Sequence, residues 1–349
     1  MAGIAFQSGV QSMGFDMAPS GGVASGLFNL SASGAVDSTV TPFGSGYSWK
    51  VTNGAFGWSF GSNPTTNIYH FRFQVSSIPG AGVLLYFWDA TAGAAQCNLW
   101  CTTAGQLGFY LGATNGTLIG SLSSTGALPI GSWCHVMVTV TCGTGSGFVE
   151  CKINGATVIT ASSVTTKNTA NTWISGIKFN SISSGNAWYD DIVILDATGS
   201  APLNAYLGQV QVKGDVPNAN SAVGGRNAFT PTNPQNDNHL NVGNIPANTA
   251  QYNADLTPGD YDMFRFPSLT ALSVLFLNEW AEIELDAAGS RTVGLNCYSG
   301  GTDSLGTAFA PSAGSYLLFN NVSPVDPNTS SAWTVSNAGS AELGVKVVS

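Results

Sequence analysis

The segment "GSWCHVMVTVTCGTGSGFVECKINGATVI" (residues 131–159) reads as two short strands around a glycine turn. Val136, Val138 and Val140 alternate with His135, Met137 and Thr139, the period-two pattern of a strand with one buried face. Val149, Cys151 and Ile153 alternate with Phe148, Glu150 and Lys152, and "GTGSG" between the runs supplies residues that tolerate positive φ. The pattern predicts an antiparallel hairpin. Its inward faces meet when even positions of the first strand oppose odd positions of the second, with Val140 across from Cys151 and Val138 across from Ile153.

On either side of the hairpin, similar runs recur with turn residues between them: "YSWKV", "IYHFRFQVS", "VLLYFWDA", "LGFYLG", "ISGIKFNSI" and "AWYDDIVILD". This spacing is that of a β-sandwich. With 349 residues the chain exceeds what one core normally fills, so two domains are expected. Glycine is abundant (43 residues) and only 8% of residues are charged, a composition that disfavours helices. From Lys213 to Asp262 the sequence turns rich in Asn, Pro and Gly, which predicts a long extended connection, pinned to a neighbouring surface through Phe229, Leu240, Ile245 and Tyr252. The division is therefore 1–212, a β-sandwich; 213–262, a connection; and 263–349, a smaller β domain. Within the last part Ile283 and Leu285 alternate with Glu282, Glu284 and Asp286, which predicts a strand followed by a turn at "DAAGSR".

The net charge of −9 is uneven: residues 1–212 hold five basic and seven acidic side chains, residues 213–349 five and twelve. Ten scattered Lys and Arg cannot neutralise many phosphates, which argues against nucleic-acid binding. The opening "MAGIAFQSGVQSMGFD" lacks the pattern of a secretory signal, and no run approaches the ~20 apolar residues of a membrane span. A soluble protein made in a cytoplasm, without membrane insertion, is expected.

Cys134, Cys142 and Cys151 fall on the inward hairpin face. Cys97 and Cys101, in an extended "CNLWC", would have Cα atoms about 13 Å apart, beyond the reach of a disulfide. The cysteines read as buried thiols, without the paired spacing that zinc requires.

The order "LPIGSWCHVMVTVT", "GFVECKINGATVI", "AWYDDIVILDATGSAPLNAYLGQVQV" resembles the concanavalin A-like, laminin-G-type jelly roll found in structural proteins of tailed bacteriophages. Trp133, the Asn154-Gly155 turn and Asp190-Asp191 match that pattern. "GDYDMFRFPSL", "GSRTVGLNCYSGG" and "DPNTSSAWTVSNAGSAELGVKVV", with Trp333, extend the resemblance over nearly the whole chain. It implies an all-β protein: an N-terminal jelly roll plus a smaller β-sandwich-like domain. It also implies a virion component, synthesised in a bacterial host cytoplasm, that acts as a capsid decoration, fibre or tail appendage and binds other virion proteins. Low charge and many small polar residues suit wet subunit interfaces, so a homo-oligomer, taken as a trimer, is expected.

No catalytic, cofactor or metal residues are assigned. Ser59 in "GWSFG" (57–61) fits G-x-S-x-G, but no helix pattern follows. In "EIELD" (282–286) alternate carboxylates would stand ~6.6 Å apart, near glycosidase geometry, yet Ala287 occupies the place of that motif's later glutamate, and gatekeeper charges explain the acids equally well. Asp190 and Asp191 point to opposite faces of a regular strand and cannot jointly chelate an ion. His70, His135 and His239 lack partners at catalytic spacing. The expectation is therefore a non-enzymatic protein. Two rivals stand beside it: a carbohydrate-binding adhesin for the host surface, and a jelly-roll glycosidase. For the adhesin, Trp88, Trp100 and Trp133 read more simply as core, whereas Tyr47, Trp173 and Tyr189 are candidates for the surface that the sequence does not sort.

Overall fold

The computed structural model describes residues 10–13, 30–43, 46–183, 185–232, 237–244, 248–285 and 290–349. Most of the opening segment, Ile245, Asp286 and Ala287 lie outside them. The chain is all-β, 44% strand and 4% helix, and divides into residues 1–214 and 215–349.

The first unit is a jelly-roll sandwich. Its first sheet contains β1 (Val10–Met13), β3 (Ala35–Asp37), β4 (Ser48–Thr52), β6 (Thr66–Val75), β11 (Cys134–Thr141), β12 (Gly147–Ile153), β13 (Ala156–Val164) and β15 (Asn186–Leu195). Its second contains β2 (Ser31–Ala32), β5 (Ala55–Ser59), β7 (Gly82–Asp89), β8 (Ala94–Cys101), β9 (Leu107–Leu111), β10 (Leu118–Ile119) and β14 (Gly176–Asn180). The orders are β13-β12-β11-β6-β15-β4-β3, with β1 on β15, and β10-β9-β8-β7-β14-β5-β2. Phe71 and Tyr189 from the first sheet meet Phe56 and Phe179 from the second, with ring centroids 5.2 Å apart for Phe56–Tyr189 and 5.4 Å for Phe71–Phe179, and Phe73 packs on Tyr189 at 5.0 Å. These rings are fully buried and make up much of the inter-sheet core.

The hairpin forms with the expected faces but a different register: Val138 opposes Cys151, Val140 opposes Val149 and Val136 opposes Ile153. The cause is Thr166, whose hydroxyl accepts the Gly143 N–H (2.9 Å) and donates to the Thr141 carbonyl (2.7 Å). Gly143 is thereby withdrawn from the ladder and the turn starts there. Asn154 (φ 50°) and Gly155 (φ 87°) make the tight turn from β12 to β13, the left-handed pair such a turn requires. All six cysteines are buried free thiols.

A bulge in β15 corrects the expectation for Asp190 and Asp191. The register jumps from Asp190↔Arg72 to Val193↔His70, and Asp191 takes φ 50°. This extra residue breaks the alternation, so Asp191 reaches Arg72 on the outward face to which Asp190 also belongs.

The second unit contains β16 (Ala219–Asn220), β17 (Thr230–Pro231), α1 (Asn238–Val242), β18 (Asn253–Ala254), β19 (Tyr261–Arg265), β20 (Leu277–Ile283), β21 (Val293–Ser299), β22 (Thr302–Leu305), β23 (Leu317–Ser323), α2 (Val335–Ser340) and β24 (Glu342–Val347). Its main sheet has the order β16-β19-β24-β21-β22; β17-β18 and β20-β23 form separate pairs. Cys297, Trp333 and Ala341 pack with Leu277 and Leu343 in its core.

Residues 215–262 belong to this unit, and Asp262 is what holds them. Its buried carboxylate accepts the side-chain amides of Asn227 (3.2 Å), Asn238 (2.7 Å) and Asn253 (2.7 Å). Each amide also donates to a main-chain carbonyl, of Met263, Phe229 and Asn238 respectively, which sets its orientation. Burial pushes the Asp262 carboxyl up to about 6 against these three donors. Asp262→Ala is expected to cost about 3 kcal/mol, because several hydrogen bonds to one charged acceptor are lost together. Limited proteolysis of the full chain should then cleave faster within residues 218–256 and leave residues 66–195 unaffected.

Candidate functional site

Each sheet of the first unit has an outward face, and the two differ in what covers them. On the first sheet, His70 and Arg72 of β6 lie beside His135 of β11, and the bulge adds Asp191. Arg72 Nε donates to Asp191 Oδ2 at 2.9 Å. The His70 and His135 rings are 5.5 Å apart, diagonal neighbours across the β6–β11 ladder, so these two histidines are not isolated. His239, by contrast, is held on α1 by Asn220.

The chain leaving β15 crosses this face as a strap. Tyr206 stacks on His70 (centroids 5.5 Å, 16° between planes), and Lys152 Nζ sits 5.0 Å from the Tyr206 ring. Val212 N–H donates to Asp191 Oδ1 at 2.7 Å, and Leu203 and Val210 are buried. Both histidines are almost fully enclosed, without hydrogen-bond partners on their ring nitrogens among the described residues. Burial and the neighbouring His135 push His70 down to about 3; burial and Arg72 push His135 down to about 4. Both rings are neutral at pH 7. This face is closed by the protein itself.

The second sheet presents a different surface. Along β7, Leu85 and Phe87 are buried, while Tyr86 and Trp88 between and after them stay partly exposed. Period-two alternation therefore places the latter pair on the outward face. Pairing aligns Lys178, Tyr86, Asn98, Tyr110 and Leu118 in one row across β14, β7, β8, β9 and β10, and sets Trp100 beside it, opposite Val83 and Gly108. Four inter-strand steps make the row about 19 Å long.

The rings support one another. Tyr86 and Trp88 meet edge to face at 6.4 Å, as do Trp100 and Tyr110, and Lys178 Nζ lies 3.5 Å from the Trp88 ring centre. Burial pushes the Tyr86 hydroxyl up and the Lys178 ammonium down, so Tyr86 keeps its proton more firmly and Lys178 holds its own less firmly. Asn98, fully buried, donates to the carbonyls of Gly112 (2.9 Å) and Thr114 (3.0 Å) and so fixes a turn beside the row. At the β5–β14 end, next to Tyr86, opens a cavity of about 440 Å³.

Trp88 and Trp100 thus face outward rather than into the core, and Tyr189, expected at the surface, is fully buried. Trp173 and Tyr47 are partly exposed, and so is Trp133. Ser59 ends strand β5, with no helix after it. Glu282 lies in β20 and Glu284 one residue beyond its end at Ile283. Tyr86, Tyr110 and Lys178 were not distinguishable in the sequence. Their signal is the pairing that aligns residues 178, 86, 98 and 110, which no local pattern reveals.

No protein-family model and no curated protein matches the sequence. Solved structures match part of the chain at low scores. Alginate lyase Aly36B is 17% identical, with 55% of this chain and 97% of that one covered, at a TM-score of 0.38. An endo-beta-1,4-glucuronan lyase from the fungus Trichoderma reesei is 14% identical, with 54% and 95% covered and a TM-score of 0.38. A sialidase is 11% identical, with 56% of this chain but 19% of that one covered, at 0.39. The expectation of a non-enzymatic virion structural protein is not borne out: the solved structures that match are named as lyases and sialidases, and none of these as a virion protein.

Proposed function

We propose that the first unit is carbohydrate-active and binds a polysaccharide along the outward face of its second sheet. One observation carries the reading: four aromatic side chains, in the pairs Tyr86–Trp88 and Trp100–Tyr110 on either side of Asn98, stand partly exposed on the open face, outside a core that is already filled. Exposed large apolar surface on a stable sandwich is informative where it is contiguous. A flat ring offers its face to the C–H side of a sugar ring, while the sugar's hydroxyl rim stays hydrated or meets Lys178. Edge-to-face packing holds each ring pair in place before binding, which lowers the ordering cost. Tyr86 and Lys178, adjacent across β7 and β14, are the titratable pair on this face. They are the groups through which a proton could be given to, or taken from, a bound sugar.

Trp100→Ala is expected to weaken binding by about 2 kcal/mol, roughly thirtyfold in Kd, as loss of a central aromatic anchor does. Affinity electrophoresis through gels containing neutral or acidic polysaccharides measures it. Unchanged retardation of Trp88→Ala and Trp100→Ala relative to wild type contradicts the reading. Reducing ends released from a retained polysaccharide would report turnover, which Tyr86→Phe should abolish while leaving retention in place.

A further inference from the structure

The cavity at the β5–β14 end of the aromatic row is bounded by Ser33, Asn53, Tyr86, Asn180, Ser181 and Ser183, among others. Its volume, about 440 Å³, is in the lower part of the range for small-molecule sites and holds one or two sugar rings. Hydroxyls and amides dominate the lining, Val83 and the Tyr86 ring give it an apolar wall, and none of the residues that bound it is charged. Asn180, which bounds it, has a shielded Nδ2 without a hydrogen-bond partner among the described residues, a donor that costs free energy until a turn of the side chain brings it an acceptor.

The walls are also fixed in advance. Ser181 N–H donates to the Gly54 carbonyl (3.2 Å), Gly54 N–H donates to Ser181 Oγ (3.3 Å), and Ser181 Oγ donates to the Ser183 carbonyl (3.0 Å). Asn53, Ile182 and Ser183 hold left-handed backbone at φ 52°, 49° and 58°. For a β-branched residue such as Ile182 this conformation is strained, and strain of this kind is kept where the surroundings define a site. Gly54 is required because a Cβ there would stand 2.6 Å from that of Ser33.

We infer that this cavity is a subsite for a single neutral, hydroxyl-bearing sugar residue at the end of the chain that lies on the aromatic row. The inference rests on the saccharide-binding reading of the row and adds to it a preference for the chain terminus. A terminal ring enters the cavity with one face on Tyr86 and a hydroxyl accepting from Asn180 Nδ2. The uncharged lining offers nothing to compensate a buried carboxylate, so an acidic terminal residue is disfavoured.

A glycan array bearing the same chains with neutral and with uronic-acid termini tests this. Ala55→Trp plugs the cavity from an outward strand position, and Asn180→Leu removes the donor. Thermal unfolding identifies which variants remain folded, and Ala55→Trp alone suffices if Asn180→Leu does not. Wild type should prefer neutral termini, and Ala55→Trp should lose at least tenfold in binding to them. If Ala55→Trp binds like wild type while Trp100→Ala loses binding, the row stands and the subsite is wrong. A wild-type preference for acidic termini also overturns the subsite. If wild type binds no spot, or Trp100→Ala binds like wild type, the reading of the row itself fails and the subsite with it.

Discussion

Lowering the pH from 6.5 to about 4.5 should destabilise the first unit by several kcal/mol, and His70 and His135 should account for most of that loss. In the unfolded chain both titrate near the ordinary value of about 6.5. In the folded protein burial holds them at about 3 and about 4. Below pH 6.5 the unfolded state therefore binds protons that the folded state refuses. The stability they confer is complete above 6.5 and declines as pH falls toward their folded values, by about 1.4 kcal/mol per pH unit for each ring. The charges around them, Arg72 on β6, Lys152 and Glu150 on β12, and Asp190 and Asp191 on β15, belong to both signs. None places a carboxylate on either ring nitrogen. Urea unfolding of the full chain across this pH range measures the slope. Replacing both histidines with leucine should flatten it, and should cost little at pH 7 because no hydrogen bond is lost. An unchanged slope in that variant would show that the acid sensitivity lies elsewhere.

Arg72→Met should cost on the order of 3–5 kcal/mol, the second large effect. The Asp191 side chain is 1% exposed, and its ion pair with Arg72 at 2.9 Å has little solvent to replace it. Removing the cation takes away the guanidinium that pairs with a buried charge, which costs more than removing both members. Arg72→Met combined with Asp191→Leu should therefore recover much of the loss, and this non-additivity distinguishes the pair from simple packing. Asp191 also holds Val212 of the strap. Protease cutting between residues 197 and 212 should rise in the single variant and, with the anchor gone, stay raised in the double one.

The contrast between the two outward faces explains how much of this protein was legible beforehand. Period-two alternation places a side chain on one face of a strand or the other, and it assigned the hairpin valines and most strands correctly. It does not say which face meets the other sheet. Tyr86 and Trp88 alternate with Leu85 and Phe87, apolar residues on both sides, so the core and the open row looked alike. Asp190 and Asp191 were assigned to opposite faces because a bulge is invisible to strict alternation. His70 and His135 lie far apart in sequence and become neighbours only through the β6–β11 pairing. Residues 213–262 read as a connection between domains, and their composition does not show that Asp262 gathers the amides of Asn227, Asn238 and Asn253.

The row on the second sheet is tested by following the indole N–H resonances of the wild-type protein while a retained polysaccharide is added. The account predicts that Trp88 and Trp100 shift in proportion to occupancy, while the buried Trp49 and Trp58 stay in place. Shifts that spare Trp88 and Trp100 and fall instead on Trp188, on the outward face of the first sheet, would contradict it.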